Sequence, residues 1–172
     1  MAELKNRWRG YVNHANGQTF EAMIQDTLDI YRAHCLANIH KYPEPLKVIR
    51  NKGKGVFECV FTKRSQPDFI GVMRGGRCVV FEAKHTDADR IQQDAVKDHQ
   101  ATALDQYSAL GAACYVLVSL RMRDFFVLPW VVWKGMKLQY GHKYATAMDM
   151  CEYRVTSAGG TIDFLDLLGE EE

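Results

Sequence analysis

Apolar residues at Phe20, Ile24, Leu28, Tyr31 and Cys35 recur every three or four positions and continue to Ile39, the spacing of one helical face, and the pattern stops before Pro43 and Pro45. A long helix is predicted there, capped by Asn16 or Thr19. Before it, residues 1–15 read as a mobile basic arm carrying Lys5, Arg7, Trp8, Arg9 and Tyr11. After it the period changes. Leu46 to Arg50, Val56 to Thr62, Asp68 to Met73 and Arg77 to Lys84 are β-branched or aromatic runs separated by turn residues, which predicts a meander of antiparallel strands. Ala88 to Gly111 returns to helical spacing, Ala113 to Leu120 is a strongly apolar strand, and Asp124 to Leu128 pairs with it. Pro129 opens a short amphipathic piece through Trp133; Gly141 to Ala158 reads as loop and Thr161 to Leu168 as a short terminal helix. The order is that of a mixed α/β protein with a central sheet flanked by helices, a single domain over residues 16–172.

With 172 residues, 47% of them hydrophobic, the chain can bury a full core. It has no apolar run of membrane-spanning length and no secretory leader, so a soluble, cytoplasmic protein is expected. Cys35, Cys59, Cys78, Cys114 and Cys151 form no Cys-x-x-Cys pair and are expected to be buried free thiols. The offsets of His34, Cys35 and His40 do not suit zinc. The formal net charge of +1 hides a segregation. Asp163, Asp166, Glu170, Glu171 and Glu172 stand without basic neighbours at the end, leaving the body before them basic. Lys47, Arg50, Lys52, Lys54, Lys63 and Arg64 gather on the approach to Asp68, as suits a phosphate backbone.

The candidate chemistry lies between residues 67 and 84. Pro67-Asp68, an apolar run, a glycine turn, a second apolar run and Glu82-Ala83-Lys84 supply two carboxylates for a divalent cation and an ammonium to orient a nucleophilic water. Glu82 and Lys84 share a strand face. Asp68 joins them only in one register. A two-residue Gly75-Gly76 turn would set Phe69 opposite Glu82, whereas a three-residue loop of Arg74, Gly75 and Gly76 pairs Met73 with Arg77 and Asp68 with Glu82. The second register is expected. Glu21, in the first turn of the predicted helix, is a further carboxylate within reach, although an acid there also complements the helix dipole. His14, His99 and His142 are weaker candidates for proton transfer, with His99 as an auxiliary group. Trp130 and Trp133 follow an apolar strand and are expected in the core or a dimer contact.

These residues resemble the RecU-type Holliday-junction resolvases, a branch of the PD-(D/E)XK nucleases. The resemblance rests on Asn13-His14-Ala15-Asn16-Gly17 with Phe20-Glu21, on Ile39-His40-Lys41 with Pro43 and Pro45, and on Asp68, Gly71-Val72, Arg74-Gly75, Phe81-Glu82-Ala83-Lys84 with Thr86, and His99-Gln100. It implies a restriction-endonuclease-like fold. It also implies Glu21, Asp68 and Glu82 as ligands of Mg²⁺ (or Mn²⁺), Lys84 as the lysine that acts on the water, and Gln100 as an auxiliary group. The implied protein is a homodimer that resolves four-way DNA junctions in recombination and repair, in a bacterial or bacteriophage setting. Arg9, Lys52, Lys54, Lys63 and Arg64 are the expected DNA contacts, and Asn51 to Gln66 the expected projection toward the junction. His85 departs from the family, which commonly has an acid after the lysine. A related nuclease acting on duplex or flap DNA, or a non-catalytic junction-binding module, are the alternatives.

Overall fold

Phe20, Ile24, Leu28 and Tyr31 lie along one side of helix α1, Ala2–Ala33, and are buried in a core beneath it. The computed structural model describes residues 2–43, 46–61 and 67–168, and the side chains of residues 2–11, 61, 166 and 167 lie outside that description. The helix starts well before Asn16, so residues 2–15 extend it. Its first half lacks proline, and Gly17, which costs about 1 kcal/mol against alanine, faces open space. At the other end Cys35 adopts a left-handed conformation (φ 56°) and Leu36 N–H closes on the Tyr31 carbonyl.

That stop converts Ile39, expected in the helix, into a strand residue. β1, Ala37–Lys41, buries Ala37 and Ile39 in alternation. Ile39 is four residues from Cys35, which fits a helical face, and two from Ala37, which fits a strand face, and the turn decides. β2, Leu46–Gly53, and β3, Val56–Phe61, form a separate two-stranded sheet, with every residue of β2 exposed. The expected four-strand meander is therefore broken. β1 takes the place beside β4, Phe69–Met73. Gly71 makes room for it: a Cβ there would lie 2.2 Å from the Asn38 carbonyl oxygen.

β5, Cys78–Thr86, pairs with β4 on one side and, in parallel, with β7, Ala113–Leu120, on the other. Between β5 and β7 the helix expected from Ala88 is shorter. Residues after Thr86 form β6, Arg90–Gln92, and a single 3-10 turn, and α2 spans Asp98–Ala109. Ile91 is buried where β6 pairs with β9, Tyr144–Thr146, so its apolar side chain serves a strand. β8, Asp124–Pro129, follows β7, then α3, Trp130–Lys134, and α4, Met136–Tyr140. β10, Arg154–Ala158, and β11, Thr161–Asp163, occupy positions expected as loop and helix; α5, Leu165–Leu168, keeps only the end of that helix.

The large sheet runs β1-β4-β5-β7-β8-β10-β11. One face packs on α1 through Phe69, Phe81, Tyr115 and Phe125; the other packs Val80, Val116, Val118 and Leu128 with Leu104 of α2 and with Trp130 and Trp133. Both tryptophans are core residues, their indole N–H groups donating to Asp105 and to the Gln93 carbonyl. The five cysteines are free, but Cys114 alone is fully buried and Cys35, Cys59 and Cys151 are exposed, contrary to expectation. Two of those three sit at a turn or on the β2–β3 hairpin, outside either core.

Candidate active site

The β4–β5 register decides whether the acids meet. Phe69 pairs with Phe81, Ile70 with Val80, Gly71 with Val79 and Val72 with Cys78. Met73 N–H donates to the Arg77 carbonyl and Gly76 N–H to the Met73 carbonyl, closing a three-residue loop. Gly75 and Gly76 have φ of 95° and 89°, which glycine tolerates at no steric cost. One step beyond Phe69–Phe81, Asp68 stands opposite Glu82, in the expected register.

Asp68, Glu82 and Lys84 converge on the face covered by α2. The Asp68 carboxylate accepts the Ala83 N–H at 2.9 Å, so β5's own backbone holds it in place. Lys84 Nζ lies 2.7 Å from Glu82 Oε2 and 3.8 Å from Asp68 Oδ2. Gln100 joins from the first turn of α2: its side-chain oxygen accepts the Lys97 N–H at 3.1 Å and its amide N–H₂ donates to Glu82 Oε2. That pair of bonds fixes which way the amide faces.

Glu82 is wholly buried, and its Oε1 has no partner among the described residues. Burial, reinforced by the nearby Asp68 charge and only partly offset by Lys84, raises its pKa from 4.5 to about 8. A carboxylate forced into this position without a cation is costly. An unsatisfied oxygen, a second carboxylate close by and hard oxygen donors are what a small divalent cation requires, and Mg²⁺ commonly takes one or two carboxylates while keeping waters. The residues present fit such an ion.

Glu21 makes a different contact. It sits on the α1 side of the sheet, its carboxylate 2.5 Å from Lys41 Nζ. Among the described residues no three His, Cys, Asp or Glu side chains come together as a metal cluster. Lys41 is the residue that sequence reasoning missed. Once Ile39 is seen as an inward strand residue, Lys41 follows on the same face, toward α1. Of the expected DNA contacts, Lys52 pairs with Glu58 at 3.2 Å on the exposed hairpin, and Lys54 sits at its tip with φ 53°. Lys63 and Arg64 lie outside the described residues, and Arg9 belongs to α1 with its side chain outside that description.

Comparison with known proteins adds the family. The model of Recombination protein U (RecU) matches residues 15–169. The chain belongs to the RecU family. It is 35% identical over 127 residues to the Holliday junction resolvase RecU of Streptococcus gordonii, covering 69% of this chain and 62% of that one. The corresponding figures for the Streptococcus oralis RecU are 34% over 126 residues, 68% and 63%. The chain thus spans less than two thirds of the length of these RecU relatives. In fold it matches Hjc of Archaeoglobus fulgidus, a Holliday junction resolvase, with a TM-score of 0.50 at 13% identity, over 87% of this chain and 98% of that one. The architecture is the mixed, restriction-endonuclease-like α/β fold. Among the described residues no helix is long and apolar enough to cross a membrane.

Proposed function

We propose that this protein is a metal-dependent endodeoxyribonuclease that nicks four-way DNA junctions, residues 16–172 forming its nuclease domain. One observation carries the proposal: Asp68, Glu82 and Lys84 meet across β4 and β5 with a buried Glu82 oxygen lacking a partner. Membership of the RecU family, whose relatives are named Holliday junction resolvases, supports the substrate class.

Asp68 and Glu82 would hold Mg²⁺, or Mn²⁺ in its place, which when bound supplies Lewis acidity and a template for inline hydrolysis. Lys84 offers its ammonium donors to the attacking water and to the charge that develops on the phosphate. Gln100 keeps the Glu82 carboxylate aimed. Glu21, the third ligand implied by the resemblance, is engaged by Lys41 in this arrangement, so the proposal stands on Asp68 and Glu82. Lys52 and Lys54, with Arg9, Lys63 and Arg64, would neutralise flanking phosphates in a salt-sensitive way, the β2–β3 hairpin serving as the projection toward the junction. A homodimer would match a nearly two-fold junction.

The test is incubation of purified protein with a synthetic mobile four-way junction, with and without Mg²⁺. Symmetric nicking that requires the ion is expected, and the Asp68→Ala variant should bind without cutting. Cutting by that variant at the wild-type rate would defeat the assignment; equal cutting of plain duplex would remove the junction from it.

A further inference from the structure

The strand that carries Lys84 ends in a set of contacts that the chemistry above does not use. His85 points to the α1 side of the sheet, opposite to Lys84, and its ring is almost wholly buried, with 3% exposed. Nδ1 lies 3.0 Å from the hydroxyl of Ser119, itself fully buried on β7. Nε2 lies 3.1 Å from Asp87 Oδ1. A carboxylate only accepts, so Nε2 carries the proton of that bond. The same Asp87 oxygen accepts the Asn16 side-chain amide at 2.9 Å, and the Asp87 backbone N–H donates to Asn13 Oδ1 at 3.1 Å.

Asn13 and Asn16 are three apart on α1 and share a face. They are the two asparagines of the Asn13 to Gly17 motif, to which the proposed chemistry gives no role. A second grip holds the same turn from the other side: Arg121 N–H donates to the Thr86 carbonyl at 2.8 Å, and its guanidinium reaches the Asp87 carbonyl at 3.3 Å and Asp89 at 2.7 Å. The basic first half of α1 is thus fastened, near its Asn13–Asn16 junction with the core-packed half, to the turn that follows Lys84.

We propose that His85 is a positioning residue: by bridging buried Ser119 to Asp87 it clamps α1 at Asn13 and Asn16, fixing the basic extension of that helix beside the catalytic strand so that it meets the DNA flanking the cut. The substrate part of this rests on the nuclease reading; the clamp itself does not. A helical segment of this length is by itself only marginally stable in water, so a side anchor bears on whether it stays formed.

Hydrogen exchange on the full chain tests the clamp without any cleavage. In His85→Ala, and in Asp87→Ala, where the altered residue is exposed and the core is untouched, amides of residues 2–16 should exchange at least about tenfold faster while β4, β5 and β7 keep their protection. Asp87→Asn, which retains an oxygen able to accept from both Asn16 and His85, should restore the slow exchange. On junction DNA the two alanine variants should raise KM about fivefold with kcat nearly unchanged, the pattern of lost uniform binding. Unchanged exchange of residues 2–16 in both alanine variants, or failure of Asp87→Asn to restore it, overturns the clamp. If exchange responds but KM stays constant, the clamp does not serve substrate binding. Absence of any nicking by the wild-type protein refutes the nuclease reading and leaves the exchange result to judge the clamp alone.

Discussion

Replacing Glu82 with Gln removes the buried charge while keeping the shape and an amide able to bond with Gln100 and Lys84. In metal-free protein the wild-type carboxyl has its pKa raised from 4.5 to about 8. A folded state that holds a proton more tightly than the unfolded one loses stability as pH rises through that window. Integrating between those two pKa values, the wild-type penalty is about 1 kcal/mol at pH 5 and about 4 kcal/mol at pH 8. Glu82→Gln has no such penalty, so its stability relative to wild type should grow by roughly 3 kcal/mol across this range, equivalent to roughly 10 °C in Tm for a chain of this size. Urea denaturation of both proteins in EDTA at several pH values measures the difference. Any constant effect of the substitution cancels, because only the growth of the gap with pH matters. A gap that stays flat from pH 5 to pH 8 would show that Glu82 does not ionise at a cost, and the case for a cation at this position would lose its physical basis. Adding Mg²⁺ at pH 8 should restore wild-type stability and leave Glu82→Gln almost unmoved.

Tyr31→Phe should cost about 2–4 kcal/mol of stability in a thermal melt, because the Tyr31 hydroxyl donates to Asp163 and accepts the Phe164 and Leu165 N–H groups, which would be left unpaired. Burial and the Asp163 bond also push the Tyr31 phenol well above its ordinary pKa, so in a spectroscopic titration to pH 11 the wild type and Tyr31→Phe should develop the same phenolate absorbance. Gly71→Ala should disrupt β1 pairing and lower stability by several kcal/mol, given the clash with the Asn38 and Ile39 backbone; calorimetry showing a change under about 1 kcal/mol would contradict it. Lys52→Ala with Lys54→Ala should flatten the salt dependence of junction binding by up to about two in log–log slope, measured by fluorescence anisotropy, if both lysines meet phosphates.

The sheet that bears the site was legible because strand parity and turn length are local. Gly75 and Gly76 admit a three-residue loop, and from that loop the pairing of Asp68 with Glu82 follows. β1 was hidden because Ile39 fits a helical face with Cys35 and a strand face with Ala37, and the left-handed Cys35 that decides between them leaves no compositional trace. β11 was hidden for a different reason: Ile162 N–H bonds to the Thr27 hydroxyl, and the backbone after it to Tyr31, partners more than 130 residues away. At the site the residue types could be read, but the depth of Glu82 and the engagement of Glu21 by Lys41 depend on how α1, α2 and β1 close around the strands.

Gln100 spans two jobs with one side chain, closing the first turn of α2 through Lys97 and steadying the Glu82 carboxylate. Whatever alters the charge or company of that carboxylate must tug on the amide, and through it on the opening of the helix. The Lys97 backbone N–H is therefore a built-in gauge: its NMR resonance should move as a cation is titrated in, reporting occupancy with no DNA present.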